Sequence, residues 1–173
     1  NDGGTNWQNE VMVSDQLHFQ LYSEMEVDGQ GYLHIIYYNF GNSLQFLNVR
    51  YAKMQLDGMM LYESIPLGIT SGETEPCDCC APDMSVTAEG DIYVAYRNNV
   101  ANIRDHYIVK KSVNASEFDA PYLMAEMNHY ISYCPSSGPS IALEGDQLIA
   151  GFMSGNTTNS YVVTANSIEL SFT

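Results

Sequence analysis

The chain has 173 residues, 45% of them hydrophobic, which is enough for one domain with a sizeable core and too apolar for a disordered chain. Twenty-one acidic residues stand against 6 basic ones, a formal net charge of −15, which argues against nucleic acid or an anionic membrane as partner because both would be repelled. No apolar run approaches the roughly 18 residues that span a bilayer, so membrane insertion is not expected.

Helical periodicity is absent, and period-two runs rich in Tyr, Val and Ile recur along the chain. The start at Asn1-Asp2-Gly3-Gly4 reads as the middle of a motif, as in a processed or partial chain. Trp7–Ser14 alternates and predicts a strand, as does Leu21–Val27. Asp28-Gly29-Gln30-Gly31 is a turn leading to the apolar strand Tyr32–Tyr38, followed by strands over Leu44–Met54 and Met60–Pro66. The order then returns. Met84–Thr87, a turn at Glu89-Gly90-Asp91, Ile92–Tyr96, His106–Ser112 and Tyr122–Glu126 make a second set. Ser140–Leu143, a turn at Glu144-Gly145-Asp146, Leu148–Met153, Tyr161–Ala165 and Ile168–Phe172 make a third.

Three segments align: VDGQGYLHIIYYN, TAEGDIYVAYRNN and LEGDQLIAGFMSG each place an acidic-Gly turn before an apolar strand. A four-stranded unit returning every ~50 residues is the size of a propeller blade. The fold class expected is therefore all-β: a partial β-propeller of about three four-stranded antiparallel blades plus one extra N-terminal strand. The expected units are an outer strand with its turn over 1–20, then blades over 21–70, 80–127 and 138–173, all within a single domain. A β-sandwich with coincidentally similar hairpins is the competing architecture.

Asp2-Gly3-Gly4-Thr5-Asn6-Trp7 resembles the Asp box, S-x-D-x-G-x-T-W, of sialidase-like (BNR-repeat) propellers. Asp2, Gly4 and Trp7 match, and Asn6 stands where the family has Thr. Ser112–Phe118 is similar to a degenerate second copy. Cys80-Ala81-Pro82, Tyr93-Val94-Ala95-Tyr96-Arg97, Arg104-Asp105 and the run Cys134–Ser140 resemble the same group, so the likeness covers nearly the whole chain. The resemblance implies a ring of about six blades. Three cannot close it, which implies either self-association of two copies into a closed six-bladed ring or a longer parent chain.

In such a ring the loops before the first strands and between second and third strands line one mouth. Cys77, Cys79, Cys80, Cys134, His18, His129, Arg97, Arg104 and Asp105 all fall in those loops. The cysteines have two uses. Either Cys80–Cys134 or Cys79–Cys134 forms a disulfide joining two blades, which suits an extracellular or periplasmic location. The other use is a Cys/His metal site drawn from Cys77, Cys79, Cys80, Cys134, His18 and His129. No other cofactor is expected. Arg97 and Arg104 either clamp an anionic group bidentately, with Asp105 and His129 beside them, or pair with Asp105 and neighbouring acids to pin the loop.

The resemblance implies an acidic glycan or small anionic ligand at the mouth. It also implies, as the alternative, a sialidase-like glycoside hydrolase with three arginines on the sugar carboxylate, a Tyr–Glu nucleophile pair and an Asp acid/base. This sequence lacks the family's F/Y-R-I-P arginine motif, and its other arginine, Arg50, lies mid-strand. Glu75, Asp78, Asp83 and Asp105 are the carboxylates near the mouth, and no catalytic residue is assigned among them. The function expected is a noncatalytic ligand-binding or interaction module, with metal binding as a further alternative.

Overall fold

A computed structural model describes residues 4–6, 9–14, 19–41, 46–56, 60–67, 75–154 and 159–173, with the side chains of 46–47 and 60–65 left aside. Among them every regular element is a β-strand. The first sheet holds β1 (Phe19–Val27), β2 (Tyr32–Phe40), β3 (Phe46–Gln55) and β4 (Met60–Pro66). The second holds β5 (Asp83–Val86), β6 (Ile92–Arg97), β7 (His106–Lys111) and β8 (Tyr122–Ala125). The third holds β9 (Ser140–Glu144), β10 (Gln147–Ser154) and β11 (Asn159–Asn166). Each sheet is an antiparallel meander in chain order.

Two sequence expectations are corrected. Residues 9–14 of the expected Trp7–Ser14 strand are not in a strand; an extended segment needs a neighbouring ladder for its N–H and C=O groups, and no described strand pairs with it. The expected fourth strand of the third sheet, Ile168–Phe172, is instead a turn and one bridge between Ala165 and Phe172. Asn166 accepts the N–H groups of Ile168 and Glu169 on its side-chain oxygen, and Leu170 takes φ 51°. That local competition folds the backbone back before a ladder can extend.

The acidic-Gly turns explain the repeat. Gly31, Gly90 and Gly145 each sit at positive φ, of 83°, 100° and 58°, a region that costs glycine little and other residues more. In the first turn the Asp28 carboxylate accepts the N–H groups of Gln30 and Tyr32, both at 2.9 Å. Its other oxygen meets the buried ring of His34 at 3.1 Å, and His34 Nδ1 meets the Tyr51 hydroxyl at 2.9 Å. Burial keeps that imidazole neutral against the pull of Asp28, so Nε2–H donates to the carboxylate and the Tyr51 hydroxyl donates to Nδ1. His34 is thus the core residue its apolar strand predicts. The first turn also touches the second, through Gly29 N–H to Ala88 O at 3.1 Å and Gln30 Nε2 to Glu89 O at 2.9 Å.

The second sheet lies between the other two. Successive strand residues face opposite ways, and β6 shows it. Ile92, Val94 and Tyr96 pack with Ile36, Tyr38, Val49 and Tyr51 of the first sheet. Tyr93 and Ala95 pack with Ile141, Leu148, Ala150 and Phe152 of the third. All six β6 residues are buried.

The first strands of the sheets are neighbours: β1 packs on β5, and β5 on β9. Two carboxylates tie them. Glu26 of β1 accepts the Val86 N–H of β5 at 2.8 Å, and Asp83 of β5 accepts the Ile141 N–H of β9 at 2.7 Å and the Ser140 hydroxyl at 3.1 Å.

Candidate functional site

Strand alternation sets where the mouth residues point. Arg97 ends β6 on the same face as Tyr93 and Ala95, so it enters the seam with the third sheet. Its exposure is 0%. Nε donates to Arg104 O at 3.2 Å, Nη1 to Ser137 O at 2.8 Å and Nη2 to Met153 O at 3.0 Å, with His129 Nδ1 at 3.4 Å. Arg104, also buried, donates from Nε to Ile131 O at 2.9 Å and from Nη1 to Cys77 Sγ at 2.9 Å. The fork donors reserved above for an anion are therefore engaged by the chain's own carbonyls and a sulfur. The loops are pinned, but not by the Arg–Asp105 pairing that the sequence suggests.

Asp105 has a different task. Its carboxylate accepts the N–H groups of Met127, Asn128 and His129, at 3.2, 2.8 and 3.1 Å, shaping the turn where Asn128 takes φ 51°. Main-chain bonds lace the loops together: Cys77 N to Arg97 O, Asn99 N to Glu75 O, Arg104 N to His129 O and Ile131 N to Asn102 O, between 2.7 and 2.9 Å. His129 is buried; burial and the neighbouring guanidinium of Arg97 hold its pKa below the ordinary value. Its neutral ring accepts at Nδ1 from the Ser154 hydroxyl at 3.2 Å.

The sulfurs form their own group. Cys79 and Cys134 are joined in a disulfide across 55 residues of chain, which decides between the two pairings considered above. Cys77 and Cys80 are buried free thiols. The Sγ atoms of Cys77, Cys79 and Cys80 all lie within 4.8 Å of one another. Cys80 donates its S–H to Cys77, and together with Arg104 this holds Cys77 well below the ordinary thiol value and pushes Cys80 far above it. Of the mixed Cys/His metal set, the structure brings the sulfurs together and leaves His129 on the Arg97 side. His18, Asp2 and Trp7 lie outside the described residues; Gly4 of the expected Asp box takes φ 80°.

Sequence reasoning missed three residues. Tyr130 and Tyr133, on the loop pinned by Asp105 and Arg104, are 59% and 64% exposed while Ile131 between them is buried. The signal was present: two tyrosines in a polar stretch outside any alternating strand. His106, 1% exposed, stacks on Phe152 with ring centroids 4.4 Å apart, and neither ring nitrogen finds a hydrogen-bond partner among the described residues. Two open grooves, of about 450 and 550 Å³, lie beside Gly145 and Asp146 at the opposite ends of the strands and share none of these residues.

No family model matches the sequence, and no curated protein matches it. The fold is similar to that of solved structures. One is a protein of unknown function from Dyadobacter fermentans DSM 18053, with TM-score 0.62, 9% identity, and 94% of this chain matched to 56% of that one. Another is a polysaccharide lyase of family PL25, an ulvan lyase, with TM-score 0.53, 15% identity, and 96% of this chain matched to 42% of that one. The same kind of lyase bound to -[GlcA(1-4)Rha3S]- gives TM-score 0.52 at 15% identity. The chain thus spans about half the length of the structures it matches. At these identities the likeness is one of fold.

Proposed function

We propose that the three sheets are blades of a sialidase-like β-propeller, and that the chain serves as a noncatalytic glycan-binding module with polysaccharide as its ligand class. First strands packed in sequence, β1 on β5 on β9, are the arrangement expected of blades around an axis. The observation that carries the binding reading is the pair Tyr130 and Tyr133. Both are exposed on a loop that buried side chains hold rigid from beneath. Flat amphipathic rings on a fixed backbone suit stacking against sugar faces at small entropic cost. Arg97, Arg104 and Asp105 then act as the frame of the site. The fold likeness to a polysaccharide lyase supports polysaccharide as the ligand class. A disulfide at the partly exposed Cys79 and exposed Cys134 supports a secreted location.

The hydrolase reading is less well supported. Two-carboxyl catalysis needs a facing pair with room for the sugar. Asp105 and Asp83 are bonded to main-chain N–H groups, which leaves Asp78 and Glu75 exposed at the mouth.

The test is affinity electrophoresis of the intact protein through a sulfated glucuronan-type polysaccharide and through a neutral one, with product analysis of the same mixtures. Retardation by at least one of the polymers, reduced in Tyr130→Ala and Tyr133→Ala and without new reducing or unsaturated ends, is expected. Chain cleavage would replace the binding reading by an enzymatic one, and unaltered mobility in both gels would remove it.

A further inference from the structure

We propose that in the reduced chain the four cysteine sulfurs form a zinc-thiolate site, and that the Cys79–Cys134 disulfide is its oxidised, metal-free form. The inference is independent of glycan binding.

The first argument is spacing. Zinc binds four thiolates tetrahedrally at about 2.3 Å, which sets neighbouring sulfurs about 3.8 Å apart. Here the sulfurs of Cys77 and Cys79 are 3.5 Å apart, those of Cys77, Cys79 and Cys80 are all within 4.8 Å, and that of Cys134 is bonded to Cys79. Three sulfurs of one loop already surround one point, and Cys134 reaches that group through its bond to Cys79.

The second argument is the surroundings. Donors face the two buried sulfurs. Arg104 Nη1 and the Cys79 N–H point at Cys77, and the Ser137 N–H points at Cys80. Donors to sulfur stabilise thiolate ligands and orient them.

The third argument is charge. Arg97 and Arg104 are buried, and among the described residues neither has a carboxylate within 4.0 Å. Buried cations ordinarily have a counter-ion. Beside the nearby Asp105 carboxylate, the thiolates of a zinc site supply negative charge next to both guanidinium groups. Access fits as well: Cys77 and Cys80 are buried, whereas Cys79 is partly exposed and Cys134 exposed, so the ion enters from the surface and Cys134 closes over it.

The chemistry balances. A dithiol or phosphine reductant supplies two electrons to the Cys79–Cys134 bond, and two protons complete the two thiols. Zn²⁺ then displaces four thiol protons. In the reverse direction a peroxide-class oxidant takes two electrons from two thiolates, the S–S bond re-forms and Zn²⁺ leaves. In either state the loop around Cys77 stays fastened to the loop around Cys134.

The experiment titrates the phosphine-reduced protein with Co²⁺. A single equivalent should give the sulfur-to-cobalt charge-transfer and visible bands of a tetrahedral thiolate site. One equivalent of Zn²⁺ should bleach them, and the untreated disulfide form should show none. Cys77→Ser and Cys80→Ser should each weaken the bands. Four freely alkylated thiols in the presence of Co²⁺ or Zn²⁺, without a thiolate band, would overturn the proposal. So would a band of equal strength in the disulfide form.

Discussion

At the scale of single residues, burial reassigns chemistry that the sequence only names. Arg97 and Arg104 have the composition of an anion clamp, but strand alternation turns Arg97 inward, where carbonyls take its donors. Direction of this kind follows from which face of β6 meets which sheet, and no local pattern states it. The disulfide was half legible for the same reason. Cys79 and Cys80 are adjacent in a turn, where no alternation says which of them meets the neighbouring loop; Cys80 is buried and Cys79 bonds to Cys134. His106 gives a residue-scale prediction. Burial, with Arg97 and His129 nearby, lowers its pKa to about 3, below the unfolded value of about 6.5. The unfolded chain therefore takes the proton first. Stability is full above about pH 6.5 and falls as pH drops, by about 1.4 kcal/mol per pH unit until the folded value is reached. His106→Phe keeps the stack on Phe152 and removes the titration. Urea unfolding at pH 7 and pH 5 should show its advantage over the parent protein growing as pH falls; a constant difference would mean that the imidazole is protonated or partnered in the fold.

At the scale of elements, the strands and turns were largely legible and the loop contacts were not. β2, β6 and β10 fall where the apolar runs place them, because each is a buried strand entered from a glycine turn that sequence can mark. The missing fourth strand of the third sheet was misread because an apolar pattern at Ile168–Phe172 says nothing of Asn166 capping the turn before it. The contact of two loops is equally silent in sequence. A Cβ built on Gly138 would run into the carbonyl oxygen of Ala81, a backbone atom with little room to give. Gly138→Ala must therefore part the Cys77–Pro82 loop from the Cys134–Pro139 loop. The expected cost is about 1–3 kcal/mol, the range of overpacked sites, read as a lowered urea midpoint. Faster reduction of the Cys79–Cys134 disulfide by a thiol should accompany it. An unchanged midpoint and reduction rate would show that the loops are not pressed together in solution.

At the scale of the molecule, the three sheets leave apolar surface at one end of the row. Phe19, Leu21, Met25 and Val27 of β1 are 47–63% exposed, a larger apolar face than isolated surface residues make. Ring closure by a second copy would cover such a face. The expectation is a sedimentation-equilibrium mass of twice 19.3 kDa for the parent chain and a shift towards the single mass in Met25→Lys. A parent chain that stays single at all concentrations would rule out the paired ring. The repeat in sequence made the row of sheets legible, since its period is a property of the chain. What covers the ends was not legible, since that depends on surfaces formed only after folding.

Glu26 and Asp83 have a consequence beyond holding sheets side by side. β5 and β9 are the outermost strands of their sheets, and a bare outer strand is a template onto which a foreign strand can polymerise. Each of these carboxylates occupies an amide that such an intruder would need. Glu26 and Asp83 thus shield edge amides, and Asp83→Ala would uncover that of Ile141.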